Sequence, residues 1–157
     1  METVAVAPTC RHARIQLLTR RPTEFIDITE RIHAFVIGAG IHTGVVNVQS
    51  LHTTTAITVQ ENEPLLLEDF AELLEQAAPA HTDYRHDDLS VRTVNLTFDE
   101  RRNGHAHCRG LLLGASACLN IVNGRLQLGP WQRVLLVELD GPRTRELSIL
   151  LMGESAR

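Results

Sequence analysis

The sequence predicts an α+β fold: a mostly antiparallel sheet or sandwich with helices inserted between its strands. Strand-like segments outnumber helical ones, and two pairs of strands are separated by turns that suit hairpins. The 157 residues fit a single domain, because a chain of this length can bury a core of its own. We expect that domain to span residues 13–157, after a flexible N-terminal arm at residues 1–12.

The N-terminal part of the domain is predicted to alternate between strand and helix. Apolar residues alternate with polar ones over Arg14–Thr19, which indicates a strand. A helix is expected to open at Thr29 and to end by Gly40. The following stretch, Gly44–Val59, is rich in Val, Ile and Thr and is predicted to be one long or bent strand.

The middle of the chain contains two predicted helices and a long polar loop. Leu65–Ala77 has apolar side chains at helical spacing, and a short helix is predicted over His107–Leu113. Between them, residues 80–104 show little periodicity and many Asp, Arg, His, Thr and Asn side chains. A long polar loop inside a compact domain is typical of a functional segment.

The C-terminal part is predicted to form two hairpins. Asn123-Gly124 favours a type I′ turn and so predicts that Cys118–Val122 pairs with Arg125–Leu128. A second hairpin, with a longer turn, is predicted between Val134–Leu139 and Glu146–Leu151.

Composition excludes several classes of function. A net charge of −4 gives no basic face for nucleic acid, and no apolar run is long enough to cross a membrane. The N-terminus lacks the order of a secretory signal, and three unpaired cysteines do not suggest a disulfide framework, so a cytoplasmic location is expected. All 15 basic residues are arginine, which excludes Schiff-base and phosphate-loop lysines.

Histidines mark three candidate sites. On an extended chain, His52 lies on the same face as the hydroxyls of its neighbours, which could orient a phosphorylated ligand; the alternative is a Thr-rich strand with a solvent-facing histidine. His86 is followed by two aspartates, a setting that suits a metal ligand or a general base, or simply a solvated loop.

The third site is the pair His105-x-His107. On an extended segment both imidazoles would share one face and could bind a divalent cation, with His86 or His52 as the third ligand.

A fourth candidate site surrounds the single tryptophan. Trp131 precedes Gln132, and Arg143 follows a turn from which its guanidinium could bind a phosphate. The alternatives are a core or interface tryptophan and a surface ion pair of Arg143 with Glu138 or Asp140.

Taken in order, these blocks resemble one known family. The sequence reads L-H-T-T, Q-E-N-E-P, Y-R-H-D-D, N-G-H-A-H, L-L-G-A-S, N-G-R-L-x-L-G-P-W-Q and V-E-L-D-G-P-R. This order, from Arg14 to Leu151, resembles the YjbQ-like family, whose members often carry the label secondary thiamine-phosphate synthase.

The resemblance implies an α+β homotrimer with pockets at subunit boundaries. The family label implies a small phosphorylated substrate. The histidines, independently of the resemblance, lead us to expect a divalent metal such as Zn or Mg as a cofactor. The candidate catalytic residues are His52, Glu61, His86 and His107; the candidate substrate-binding residues are Thr53, Thr54, Arg109, Trp131, Gln132 and Arg143; and the candidate metal ligands are His86, His105 and His107.

Three departures from the family pattern bear on that site. Gln60 stands where the family has Asn before Glu61, which lengthens the amide. Pro130 stands where a Thr is usual and removes a hydroxyl and an N–H, and Arg109 stands where some relatives carry a Lys.

Three functions are therefore expected as alternatives. The first joins a pyrimidine diphosphate to a thiazole phosphate and releases pyrophosphate, as the family label implies. The second is another metal- or His-dependent reaction on a small phosphorylated metabolite, and the third is metabolite binding without catalysis.

Overall fold

A computed structural model of the chain describes residues 8–155. Its strands form two antiparallel sheets, which confirms the predicted α+β class with mostly antiparallel strands. The strands are β1 (Thr9–Leu18), β2 (Glu24–Asp27), β3 (Ile41–Ser50), β4 (Thr55–Glu61), β5 (Ser116–Val122), β6 (Arg125–Leu126), β7 (Gln132–Glu138) and β8 (Thr144–Ser155). The helices are α1 (Thr29–Ala39), α2 (Pro64–Ala77) and α3 (Gly104–Leu113), with a single 3-10 turn at Arg85–Asp87.

The two sheets pack face to face. The larger has the order β1-β8-β3-β5-β6, and the smaller has the order β2-β7-β4. Apolar side chains from both sheets and from α1 fill the space between them, and Ile32, Val46, Leu136 and Ile149 are all fully buried there. Burial of this contiguous apolar layer is the main contribution to the stability of the fold.

The smaller sheet is covered on both faces. Its outer face packs against α2 and α3 in a second apolar cluster that includes Leu74, Ala106 and Val137. Because β7 is buried on both sides, its sequence is a continuous apolar run rather than an alternating one.

Two sequence predictions about the strands are wrong, one on the continuity of a strand and one on the pairing of two strands. The predicted long strand Gly44–Val59 is two strands in different sheets, since the chain turns at residues 51–54 and crosses from one sheet to the other. The predicted hairpin of Val134–Leu139 with Glu146–Leu151 does not form, since β7 pairs with β2 and β4 while β8 pairs with β1 and β3. The two turns, at residues 51–54 and 139–143, are called the corners below. They lie at the same end of the sandwich, where Leu139 N–H donates to Thr54 O at 3.2 Å.

The structure confirms one further prediction, a hairpin, and corrects the starting points of two others, a helix and a strand. The hairpin at Asn123-Gly124 is confirmed, with both residues at positive φ as a type I′ turn requires. Helix α3 begins at Gly104 rather than at His107, so the His105-x-His107 pair is helical and not extended. Strand β1 begins at Thr9, within the segment expected to be a flexible arm; residues 1–7 of that arm lie outside the described residues.

Candidate active site

A cavity of about 520 Å³ lies where the two corners meet the start of α3. It is bounded by the corner that follows β3, the corner that precedes β8 and the polar loop that precedes α3. Its lining residues are Leu51, His52, Thr53, Thr54, His86, Arg92, Val94, Asn95, Thr97, Glu100, Asn103, His107, Arg143 and Arg145. The structure therefore brings His52, His86 and His107 to one cavity within a single chain.

Two histidines in the cavity are in contact with each other. The rings of His86 and His107 meet edge to face, with centroids 4.5 Å apart. Burial, followed by the nearby His86, lowers the pKa of His107 below its ordinary value of 6.5. The neutral imidazole, which can accept a proton, is thereby favoured at neutral pH.

Asp87 holds this histidine pair together. It follows His86 in the 3-10 turn, and its Oδ1 accepts hydrogen bonds from the backbone N–H groups of Asn103 (2.9 Å) and Gly104 (3.0 Å). These N–H groups lie at the start of α3 and have no partner within the helix, so a carboxylate there satisfies them and complements the helix dipole. Asp87 thus fixes the loop that carries His86 against the helix that carries His107.

His52 is held in one tautomer. Its Nε2 accepts a hydrogen bond from Glu146 N–H at 2.8 Å, so the ring proton of the neutral form lies on Nδ1. Burial and, next, the charge of Arg145 lower the pKa of His52. A neutral His52 therefore presents an N–H donor rather than a cation.

Three arginines line the cavity, and each is paired with a carboxylate. Arg143 bonds to Asp140, and Arg92 bonds to Glu100 at 2.7 Å. Arg145 donates through Nε to Glu138 at 2.6 Å, and both side chains of this pair are almost fully buried.

The polar loop has a compact internal structure at the cavity wall. Arg92 donates to the carbonyls of His86, Val94 and Asn95 as well as to Glu100. Hydrogen bonds from Thr97 N–H and from Arg92 lower the pKa of Glu100 to about 2, so this carboxylate stays ionised and keeps the loop closed on itself.

Unpartnered polar atoms concentrate at the cavity. Among the described residues, four buried side-chain atoms lack a hydrogen-bond partner: His33 Nε2, His86 Nε2, Asn103 Oδ1 and Arg143 Nε. All but the His33 atom belong to residues that line this cavity. Buried polar groups without partners are rare because each costs free energy, so such a cluster indicates a place where a ligand or water completes the bonding.

Five of the predicted site residues lie outside this cavity, and two of them, His105 and Arg109, are buried on α3. His105 is buried on α3 with its ring 6.5 Å from that of Tyr84, and burial, followed by Arg109, lowers its pKa. Arg109 is also buried; it donates to Ala78 O at 3.0 Å and bonds to Glu75, so it joins α3 to the end of α2.

The predicted metal ligands do not converge. Residues two apart on a helix are rotated by roughly 200°, so His105 and His107 point to different sides of α3. Across residues 8–155, no group of three or more His, Cys, Asp or Glu side chains is placed to hold a metal ion. Within the described residues of one chain, His86, His105 and His107 are therefore not brought together around one metal ion.

Glu61, Trp131 and Gln132 lie at the far end of the smaller sheet. Glu61 and Trp131 line a separate cleft of about 490 Å³, and the Trp131 side chain is 71% exposed. Gln132 pairs with Glu61 in the sheet register, and its Oε1 accepts from Gly129 N–H at 2.8 Å. Since β4 spans 7 residues, this cleft is roughly 20 Å from the histidine cavity.

Eight lining residues have no role in the sequence-based prediction, and four of them make the ion pairs and hydrogen bonds described above: Arg92, Glu100, Asn103 and Arg145. The role of Arg145 could have been inferred locally, because it is a charged residue at an inward position of an apolar strand. Such a residue needs a buried partner. Asn103 stands directly before Gly-His in the predicted loop, but nothing local shows that its amide is buried.

Among the described residues, no helix is both long enough and apolar enough to span a membrane.

Similar proteins share both the sequence and the fold. The chain is 36% identical over 140 residues to a UPF0047 protein of Methanothermobacter thermautotrophicus, covering 89% of this chain and 90% of that one. It is 38% identical over 135 residues to a UPF0047 protein of Archaeoglobus fulgidus, covering 86% of this chain and 96% of that one. A crystal structure of a YbjQ-like protein of unknown function from Sulfolobus solfataricus superimposes with a TM-score of 0.85 at 30% identity, covering 94% and 100% of the two chains. The family model described as UPF0047 protein YjbQ-like matches residues 13–154, and the chain belongs to this family.

Proposed function

We propose that this protein is an enzyme that binds a small phosphorylated metabolite in the histidine cavity and transfers a proton through His107. The observation that carries the proposal is the set of unpartnered buried atoms on His86, Asn103 and Arg143, three residues that all line one cavity. Arg143 Nε is a cationic donor suited to a phosphate oxygen. His107, neutral and in contact with His86, suits a general base.

The test combines binding with turnover. Inorganic phosphate titrated into the protein should shift the imidazole signals of His52, His86 and His107, and a panel of phosphorylated metabolites should then be screened for conversion. His107→Gln should retain binding and lose turnover by about a hundredfold or more, as expected for loss of a general base. Unchanged turnover in that variant would contradict the role of His107, and binding without any conversion would favour the non-catalytic alternative.

A narrower candidate is thiamine-phosphate formation from a pyrimidine diphosphate and a thiazole phosphate. The three arginines at the cavity favour it, because a pyrophosphate leaving group needs cationic donors. Their pairing with Glu100, Asp140 and Glu138 opposes it, since each carboxylate offsets one guanidinium and a pyrophosphate carries more charge than the single phosphate proposed to bind Arg143 Nε. Incubation with both substrates, followed by measurement of pyrophosphate and thiamine phosphate, tests this candidate; absence of both products would exclude it.

Assembly of several subunits would explain why some candidate site residues lie in a distant cleft. If Glu61, Trp131 and Gln132 serve the same reaction, a second subunit must supply them, because one chain keeps them roughly 20 Å from the histidines. A homotrimer with sites at subunit boundaries would do so. Light scattering coupled to size exclusion should then report the mass of three chains, and a monomer at micromolar concentration would contradict the shared site.

A further inference from the structure

Asn103 and Arg143 are oriented by the same carboxylate oxygen. Asp140 Oδ2 accepts a hydrogen bond from Asn103 Nδ2 at 3.3 Å and also bonds to Arg143 through its terminal nitrogen. A carboxylate can only accept, so the amide of Asn103 must turn its NH₂ towards Asp140 and its oxygen away. The orientation of both side chains is thereby set.

This arrangement leaves one acceptor and one donor without partners. Asn103 Oδ1 and Arg143 Nε are both buried and have no hydrogen-bond partner within residues 8–155, and Asn103 is only 9% exposed. Both residues line the histidine cavity, and both are tied to one atom of Asp140. A ligand that satisfies both atoms must present an acceptor to Arg143 Nε and a donor to Asn103 Oδ1, on two side chains that are held by the same carboxylate oxygen.

Resting on the proposed function, we infer that the substrate carries a hydroxyl or amino group close to its phosphate. Arg143 Nε donates to a phosphate oxygen, and Asn103 Oδ1 accepts from the neighbouring hydroxyl or amino group. Asn103 is then a specificity-determining residue. It rejects phosphate esters without such a group because they leave its buried oxygen unpaired.

The test uses two phosphate esters with the same carbon chain. Glycerol 3-phosphate has hydroxyl donors beside the phosphate, whereas propyl phosphate has none. Calorimetry on the wild-type protein should show tighter binding of glycerol 3-phosphate by about tenfold, as expected for one satisfied buried acceptor. Asn103→Leu should bring this ratio close to unity while inorganic phosphate still binds, because Arg143 is retained. Asn62→Leu, in the distant cleft, should leave the ratio unchanged.

The outcomes separate this inference from the proposal on which it rests. Equal affinities of the wild-type protein for the two esters, with inorganic phosphate bound, would overturn the inference alone and would mean that water meets Asn103 Oδ1. Failure of all three probes to bind would overturn the proposed phosphate site and this inference with it. If Asn103→Leu does not fold, the comparison of the two esters on the wild-type protein still tests the inference.

Discussion

The ring of His107 meets the ring of His86 edge to face at a centroid distance of 4.5 Å, and the two come from a helix and a loop that Asp87 joins. Neither local segment could create this pair alone. Because the pair lies in the same cavity as His52, its protonation can be followed by methods that report on single imidazoles.

The first prediction concerns the pH dependence of stability. Burial, followed by His86, lowers the pKa of His107 below 6.5 in the folded state. Between that folded pKa and pH 6.5, the unfolded chain therefore binds more protons than the folded chain. The stabilising contribution is complete above 6.5 and is lost as the pH falls towards the folded pKa of His107. Denaturant unfolding measured from about pH 7.5 to about pH 5 should therefore show a smaller loss of stability in His107→Gln than in the wild type.

NMR titration provides a direct check of the same point. The imidazoles of His52, His105 and His107 should each titrate with a midpoint below 6.5, since burial is the leading cause in all three. A midpoint for His107 at or above the ordinary value would contradict the neutral base that the proposed chemistry requires.

The second prediction tests Asp87 as a positioning residue. Asp87→Ala removes an acceptor from two N–H groups at the start of α3 and should lower the free energy of unfolding by about 1–2 kcal/mol. It should also shift the imidazole signals of both His86 and His107. Asp87→Asn keeps an oxygen acceptor and should recover most of the loss.

Asp88 offers the matched control. Within the described part of the chain, its Oδ1 accepts from Ser90 alone, through the backbone N–H and the hydroxyl, and its side chain makes no bond to α3. Asp88→Ala should leave the imidazole signals of the histidine pair in place. Equal effects of the two alanine variants on these signals would show that Asp87 does not position the pair.

Elements whose signals are local could be predicted from the sequence, whereas the sheet crossings could not. The hairpin turn at Asn123-Gly124 and the Pro64 start of α2 each depend on the conformational limits of one or two residues. The corners at residues 51–54 and 139–143 join strands that continue the same apolar character. Whether two such strands pair or separate into facing sheets is decided by tertiary packing, which periodicity does not encode.

The candidate site was also predictable only in part, because residue types can be recognised in a sequence whereas buried contacts cannot. His52, His86 and His107 stood out by residue type, and the structure places them in one cavity. The geometry of His105-x-His107 was predicted wrongly because the segment was taken as extended, whereas Gly104 begins a helix there. Asn103 acquires its role from burial and from Asp140, which lies 37 residues away. Arg145 acquires its role from burial and from Glu138, which is 7 residues away but lies in the other sheet.

The third prediction compares two helical glycines. A Cβ at Gly104 would collide with the side chain of Tyr84, which packs against the start of α3, so Gly104→Ala should cost about 1–3 kcal/mol. A Cβ at Gly38, on the exposed side of α1, would meet nothing within 4 Å among the described residues, so Gly38→Ala should gain about 0.5–1 kcal/mol of stability. Thermal unfolding of both variants measures the contrast, and a neutral Gly104→Ala would show that Tyr84 can move.

The last prediction concerns the buried pair of Arg145 and Glu138, which supports the corner beside the cavity. Glu138 accepts from Arg145, from Thr19 Oγ1 at 2.8 Å and from the backbone N–H groups of residues 139–141. Burial raises the pKa of Glu138, but the bonds from Arg145, Asp140 and Thr19 outweigh it and leave the pKa below 4.5. The carboxylate is therefore ionised at neutral pH, in a place without access to water.

Replacing Arg145 by Met should cost about 3–5 kcal/mol, because it leaves Glu138 buried and unpaired. Adding Glu138→Gln should recover part of that loss, since the amide oxygen still accepts from the corner N–H groups and carries no charge. The exposed pair Arg14–Glu146 is the control: Arg14 is 66% exposed, and Arg14→Met should change stability by less than about 1 kcal/mol. Denaturant unfolding of the single, double and control variants decides the matter. An Arg145→Met variant no less stable than Arg14→Met would show that the buried pair does not support the corner, whereas recovery in the double variant would identify the stranded charge as the cause of the loss.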